Sequence, residues 1–428
     1  MKSAVHNASH AGADLAMIRR KIAIIVEPDF MRLHVGVRNY LFSLHATLSK
    51  KCRVDWVSFR RTGVGERRWF HLIPPVARVD AAARPTQPIV GTPAEVLRKA
   101  GDLKRQVPST IAAEWWRSDI GSDLAVEEYD AIIISNPWLV DFESRLPASR
   151  VLGMAYDMVP NHYVFSSSDK PFCFAAQHRR GFIYYREHCD AVLAISPPVA
   201  DEIAAAFDCD RVVALPPVLP PSYVSVAPAG NERPRSVALA SPFDLRKGLR
   251  VMPDILNAAR ESIDTLSIYG SLRCTGQQAG DFFRGLRVRH VEWYPRASAC
   301  TVHGIFLRAK AMLFPSFDEG LGLPILEAQY CGCRVMVRDK PPMINLAGPG
   351  SGVVPEDAAE AGAVLAGMMA EPFDHAALQK WAQTRFSLRH VQEVLGGVIE
   401  QSDGNHSAVV LPLPGQRFSQ ALRAEGVT

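Results

Sequence analysis

The sequence predicts an α/β protein built from two doubly wound parallel-sheet domains, on three observations. Its 428 residues are two to three times the roughly 150 that serve as a prior for one domain. Short apolar runs alternate with amphipathic stretches, the pattern of βα units feeding a sheet covered on both faces. The alternation also stops at a proline-rich stretch and then begins again.

The first series runs KIAIIVE (21–27), a helix over 37–49, RVDWVSF (53–59), DAIIISN (130–136), RVLGMAYD (150–157), DAVLAIS (190–196) and RVVALPP (211–217). It defines a first domain over 21–216. Residues 217–235 lack periodic apolar spacing and read as a linker. The second series is SVALAS (236–241), TLSIYGS (265–271), VRHVEW (288–293), AKAMLFPS (309–316) and CRVMVRD (333–339), with helices over 249–259 and 358–369. It defines a second domain over 236–401, with residues 402–428 as a tail. A ligand cleft is expected between the halves, at the carboxyl ends of the strands.

Residues 60–128 do not fit the alternation. They carry Arg60, Arg61, Arg67, Arg68, Trp69, Trp115 and Trp116, a mixture suited to an anionic membrane or a lipid-linked substrate. The commoner use of such a run is a solvated face over a small satellite core.

Composition sets bounds on function. With 48% hydrophobic and 21% charged residues, large cores can form, and disorder or fibre is excluded for the bulk. The net charge of +4 is too slight for a nucleic-acid footprint and leaves room for a small anionic ligand. Eight cysteines, Cys52, Cys173, Cys189, Cys209, Cys274, Cys300, Cys331 and Cys333, are spread singly, which fits a reducing cytoplasm better than a disulfide scaffold. Residues 1–20 are expected to be flexible and lack the apolar core of a signal peptide, and no run approaches the ~20 apolar residues of a bilayer span. The expectation is a cytoplasmic chain, free or held at a membrane face.

The most informative stretch is AKAMLFPSFDEGLGLPILEAQYCGCRVMV, from Ala309 to Val337. An apolar strand leads through a turn-rich PSFDEG to Pro324, which suits a first helical turn because its missing N–H is not needed there. Gly332 stops the helix. Free amides and the helix dipole favour an anion at such an amino end, and Gly320 and Gly322 let a phosphate or sugar approach the backbone. Glu319 at the loop mouth and Glu327 in the first helical turn can each accept bidentate hydrogen bonds from vicinal hydroxyls. Taken singly, Glu327 reads as a dipole-complementing acid and Glu319 as an ordinary loop acid.

FPSFDEGLGLPILEA resembles the Glu, seven residues, Glu signature of retaining family 4 glycosyltransferases of the GT-B fold, whose two halves are Rossmann-like. The resemblance implies that Glu319 contacts hydroxyls of a donor sugar. It also implies that the amides of Gly320, Leu321, Gly322 and Leu323 meet its sugar and phosphate, and that Glu327 meets the ribose of a nucleotide. ALASPFDLRKGL resembles the family's segment that places two cations on the diphosphate. Lys247 and Gly248 match, whereas Ser241 and Pro242 stand in place of the usual Gly-Arg, leaving Arg246 as a substitute if the loop runs differently. MAYDMVPNHY resembles the His-Asp and Pro segment facing the cleft, with Tyr156 in place of the His and Asp157 in place of the Asp. His162 is a neighbour able to take over the missing titration. HVGVRNYLFSL resembles the entry to the family's first helix, where the donor phosphate approaches, with Gly36 alone of two glycines. In HCDAVLAISPPVADEI, Ser196 is a helix N-cap.

Other signals read as ordinary structure. Asp208 and Asp210 form an Asp-x-Asp, but after a helix-like segment rather than an apolar strand, so a solvated turn is expected. Cys331 and Cys333 lack a second pair at zinc spacing. No hydrolase elbow, zinc helix or phosphate-binding loop motif is present.

The resemblance implies a metal-independent, retaining transfer of a hexosyl residue, mannosyl being one choice, from a nucleotide diphosphate sugar to a saccharide or lipid-linked acceptor in polysaccharide or glycolipid assembly. No cofactor beyond that co-substrate is expected. Lys247, Glu319, Asp157 and Tyr156 are the expected catalytic set. Two rivals share the fold: a sugar-nucleotide epimerase or phosphorylase, and a degenerate sugar-nucleotide-binding scaffold.

Overall fold

The structure, a computed structural model, describes residues 20–28, 35–63, 66–73, 86–106, 117–119, 124–140, 143–162, 171–215, 217, 219, 221–223 and 226–400. Within them fifteen strands form two sheets. The strands are β1 (Lys21–Ile25), β2 (Arg53–Arg61), β3 (Arg67–Ile73), β4 (Ile89–Gly91), β5 (Arg117–Asp119), β6 (Ala131–Ile134), β7 (Arg150–Ala155), β8 (Ala191–Ala194), β9 (Val212–Ala214), β10 (Ser236–Ala240), β11 (Thr265–Tyr269), β12 (His290–Tyr294), β13 (Ala311–Phe314), β14 (Arg334–Val337) and β15 (Gly352–Val353). The helices are α1 (Val35–Leu48), α2 (Pro93–Gln106), α3 (Val159–His162), α4 (Pro171–His188), α5 (Pro197–Phe207), α6 (Met252–Ala258), α7 (Gly276–Gly285), α8 (Ala299–Arg308), α9 (Leu323–Tyr330), α10 (Met343–Leu346), α11 (Ala358–Ala370), α12 (His375–Arg385) and α13 (Leu388–Glu400).

The first sheet runs β5-β3-β2-β1-β6-β7-β8-β9 and the second β15-β14-β13-β10-β11-β12-β4. All pairings from β2 through β9 in the first sheet and from β15 through β12 in the second are parallel. The central strands Ala131–Ile134, Ala311–Phe314 and Arg334–Val337 are buried at every residue, as a sheet covered on both faces requires. Each sheet reverses its strand order once: between β1 and β6 in the first, and between β10 and β13 in the second. Ligands of open α/β sheets bind at such reversals, beyond the carboxyl ends of the strands. These are the two doubly wound domains of the expected GT-B architecture.

The residues that broke the alternation go to two places. Strands β3 and β5 extend the first sheet as antiparallel neighbours of β2. Strand β4 instead pairs antiparallel with β12, Trp293 opposite Ile89, and Val96 of α2 is buried in the second half's core. The sheets thus do not follow a division at 217–235, because β4 caps an otherwise open edge. Helix α13 also crosses back. Val391, Leu395 and Ile399 share a core with Tyr40, Leu41 and Leu44 of α1, and the Arg20 guanidinium donates to the Ile399 carbonyl at 2.7 Å. Trp115 and Trp116, like residues 1–19 and 401–428, lie outside the described residues.

The halves meet closely at one glycine. A β-carbon on Gly320 would lie 2.0 Å from the Tyr156 carbonyl oxygen, and the Ser196 hydroxyl donates to the Gly320 carbonyl at 2.6 Å. Ser196 also caps α5, accepting from the Val199 amide. Gly320→Ala is therefore expected to force the first half's backbone away, costing about 2 kcal/mol or more. Chemical denaturation checks this; unchanged stability and an unchanged scattering envelope would contradict the close approach.

Candidate active site

The site grows from the two loops that follow the second sheet's reversal, those after β10 and β13. After β10, Ser241 takes a positive φ of 46°, a conformation that glycine adopts most readily. Gly270 makes room for it, since a β-carbon there would lie 2.5 Å from the Ser241 hydroxyl. The chain then forms a 3-10 turn over Leu245–Lys247, capped by Asp244 and closed by Gly248 at φ 85°. A β-carbon on Gly248 would meet the Pro315 carbonyl at 2.7 Å, so the two loops are pressed together.

After β13, Gly322 at φ 94° precedes α9, with Pro324 in its first turn. The helix ends as expected at Gly332: the Cys333 amide donates to the Ala328 carbonyl and the Gly332 amide to that of Gln329, both at 2.9 Å, with Gly332 at φ 70°. This is a Schellman closure. Because α9 begins at Leu323, Glu327 lies in its second turn and not the first, so it is not the dipole-complementing acid at the helix mouth. It is buried.

The two loops bring Lys247, Arg246 and Glu319 together. Glu319 Oε1 accepts from Lys247 Nζ at 2.9 Å and from the Ser316 hydroxyl at 2.8 Å, and lies 3.1 Å from Arg246 Nη1. Lys247 Nζ also sits 4.8 Å over the Phe314 ring, a cation–π contact. Burial alone would raise the Glu319 carboxyl, but Lys247 and Arg246 outweigh it and hold it at about 2. Arg246 and Lys247 thus both face the Glu319 carboxylate.

Glu327 has the opposite balance. Burial lifts it to about 7, against weaker pulls from Lys247 and from Tyr269, whose hydroxyl faces it outside regular hydrogen-bond geometry. From the first half, Asp157 reaches the same charges. Burial lifts it to about 6, opposed by Arg246 and by the Val159 amide, which donates to it at 3.0 Å.

Tyr156 is placed differently from the expected catalytic set. Its ring stands edge-on to Tyr40 at 5.9 Å, and burial, with Tyr40 and Glu27 beside it, raises its hydroxyl well above the ordinary value. The charges beside its hydroxyl are those of the first half, although its ring shares a core with Phe314 and Leu321 of the second. Gly36 is the second residue of α1. Gly320, expected to admit a ligand, is instead met by the Tyr156 carbonyl. Asp208, in the left-handed region, closes α5, which is the turn expected for Asp-x-Asp.

Sequence reasoning missed Tyr269 and Arg273. Arg273 lies close enough to Asp244, Arg246 and Glu319 to feel all three charges, but neither residue sits in a motif, and only the pairing of β10 with β11 brings them near. A cavity of about 450 Å³ lies on the far side of the 3-10 turn, lined by Leu245, Arg250, Gln277 and Asp281 among others. It does not include Lys247, Glu319 or Glu327.

The two glutamates set opposite pH dependences. Glu319, held below its ordinary value of 4.5, contributes stability that is present above pH 4.5 and is lost as pH falls through about 2. Glu327, raised above 4.5, contributes stability present below pH 4.5 that is lost as pH rises through about 7. Glu327→Gln removes the buried charge and is expected to stabilise the protein at alkaline pH by on the order of 2 kcal/mol. Melting temperatures across pH check this: the gain should vanish near pH 4.5, and an equal difference at all pH values would contradict the assignment. Glu319→Ala takes from Lys247 its carboxylate partner and from Arg246 one of several, and is expected to cost about 2 kcal/mol or more, measured by denaturant unfolding.

Residues 285–381 match the family model described as Glycosyl transferases group 1, a span that includes both glutamates and α9. A search of curated protein sequences finds no match. Among solved structures, the chain is similar to Anabaena HepE in complex with UDP and glucose, at 14% identity over 89% of this chain and 99% of that one, with a TM-score of 0.56. It is also similar to WaaG, a glycosyltransferase involved in lipopolysaccharide biosynthesis, at 14% identity over 89% and 100% of the two chains and a TM-score of 0.54. It spans 55% of S. aureus TarM, with 13% identity over 63% of this chain and a TM-score of 0.49, too low to carry an argument. The chain thus has a segment that matches the Glycosyl transferases group 1 model, on a GT-B fold.

Proposed function

We propose that the protein is a retaining glycosyltransferase that moves a hexosyl residue, mannosyl being one choice, from a nucleotide diphosphate sugar to a saccharide or lipid-linked acceptor. The observation that carries this reading is the largely buried Glu319 carboxylate gripped by Lys247 and Arg246 at the reversal of the second sheet, beside the amino end of α9. Such a cluster holds two cations fixed, and with part of Glu319 and Arg246 exposed a diphosphate can reach them. HepE, whose structure contains UDP and glucose, and WaaG, with its part in lipopolysaccharide biosynthesis, support a nucleotide-sugar donor and a role in polysaccharide or glycolipid assembly.

In this reading the diphosphate competes with Glu319 for Lys247 and Arg246, and freed Glu319 turns to hydroxyls of the donor sugar. Gly320, Leu321, Gly322 and Leu323 offer backbone amides, and Glu327, beside the unpartnered Tyr269 hydroxyl, meets the ribose. As the bond to the anomeric carbon breaks, charge builds on the departing phosphate, where fixed cations and helix amides stabilise it without reorganising. Asp157 faces this charge from the acceptor side. The resemblance assigns the reaction no metal, and the departing phosphate itself can take the acceptor's proton. The expected setting is the cytoplasm, with the chain free or held at a membrane face.

Mass-spectrometric screening of nucleotide sugars with saccharide and lipid-linked acceptors tests the reading. Transfer with retained anomeric configuration is expected, and Lys247→Ala should lower it by about a hundredfold or more, the cost of losing one preorganised charge in a largely buried site. Tight nucleotide binding with no turnover would favour a binding scaffold instead, and sugar-nucleotide interconversion without acceptor would favour an epimerase.

A further inference from the structure

We infer that His162 is a positioning residue that ties the Glu319 loop to the first half, and that it does so as an imidazolium. His162 ends α3. Its Nε2 lies 2.6 Å from Glu202 Oε1 on α5, and its Nδ1 lies 3.2 Å from Asp318 Oδ2 in the loop after β13. Both partners are carboxylates, which accept only when ionised, and a neutral imidazole donates from one nitrogen alone. A ring that serves both carries two protons.

The placement matters because Asp318 precedes Glu319. The Asp318 carbonyl accepts from the Arg246 guanidinium and from the Ser316 hydroxyl. Lys340 stands 3.6 Å from its other carboxylate oxygen and donates to the Phe317 carbonyl at 2.9 Å. Arg246 and Lys340 brace the loop from within the second half, whereas His162 reaches it from the first. Among the described residues, the charged groups facing the imidazole are Glu202 from α5 and Asp318 from the loop, with Lys340 behind Asp318.

Burial works against the charged ring, but the two carboxylates overcome it and raise its titration above the ordinary value. The tie is therefore complete below that raised value while both carboxylates stay ionised, and is lost as pH rises through it, leaving the Ser196–Gly320 hydrogen bond to hold the loop from the first half among the described residues. Closure of the cleft over the Glu319 loop then becomes weaker toward alkaline pH. As a statement about donor uptake, this rests on the transferase reading; as a statement about the loop, it does not.

Hydrogen–deuterium exchange of the full chain, followed in a peptide covering 315–322, tests the tie without any donor. After correction for intrinsic rates, the wild type is expected to lose about threefold or more protection between about pH 6 and about pH 8.5. His162→Gln is expected to show the less protected value at both. Asp318→Asn, which keeps the loop's backbone bonds, is a second variant expected to behave like His162→Gln. A wild type whose corrected protection does not change with pH, or variants that keep its pH dependence, would overturn the inference. Failure of transfer assays with an intact pH response would count against the transferase reading alone.

Discussion

A carboxylate sealed between two cations is the constraint on which this cleft depends. Glu319 comes from the loop after β13, Lys247 and Arg246 from the loop after β10, and the three meet where the second sheet reverses its order. None of the three can be buried alone, since an unpaired charge in such a place costs several kcal/mol. Each loop is therefore obliged to hold the other. The glycines at 248 and 270 serve the same end by removing the atoms that would keep these loops apart.

The neighbouring carboxylates show how position divides labour between like groups. Glu319 stays ionised because cations surround it, whereas Glu327, one helical turn deeper and farther from a full partner, is pushed toward neutrality. Asp157, across the cleft, is intermediate. Three acids with three different proton affinities in one cleft are what a site handling a multiply charged ligand and a departing proton calls for. They also carry a stability cost that packing elsewhere must offset, as functional sites often do.

Much of this was legible in the chain itself, because buried parallel strands announce themselves as apolar runs. KIAII, AIII, AMLF and RVMV all became central strands. The turn before Pro324 and the stop at Gly332 were equally readable from local chemistry, and so was the Ser196 cap. What was not legible depends on pairing at long range. Nothing local says that Ile89 lies opposite Trp293, or that α13 returns to α1. Tyr269 and Arg273 reach the site only through strand pairing. The sequence also misjudged details set by neighbours: Glu327 is a turn later than expected, and Gly320 faces the Tyr156 carbonyl.

One measurement bears most directly on the central claim that the paired loops form a diphosphate site: the electron density of a crystal grown with a nucleoside diphosphate. The account predicts the pyrophosphate against Lys247 and Arg246 at the amino end of α9, with the Glu319 carboxylate released from at least one cation. Density for the nucleotide elsewhere, with the Glu319 cluster intact, would contradict it.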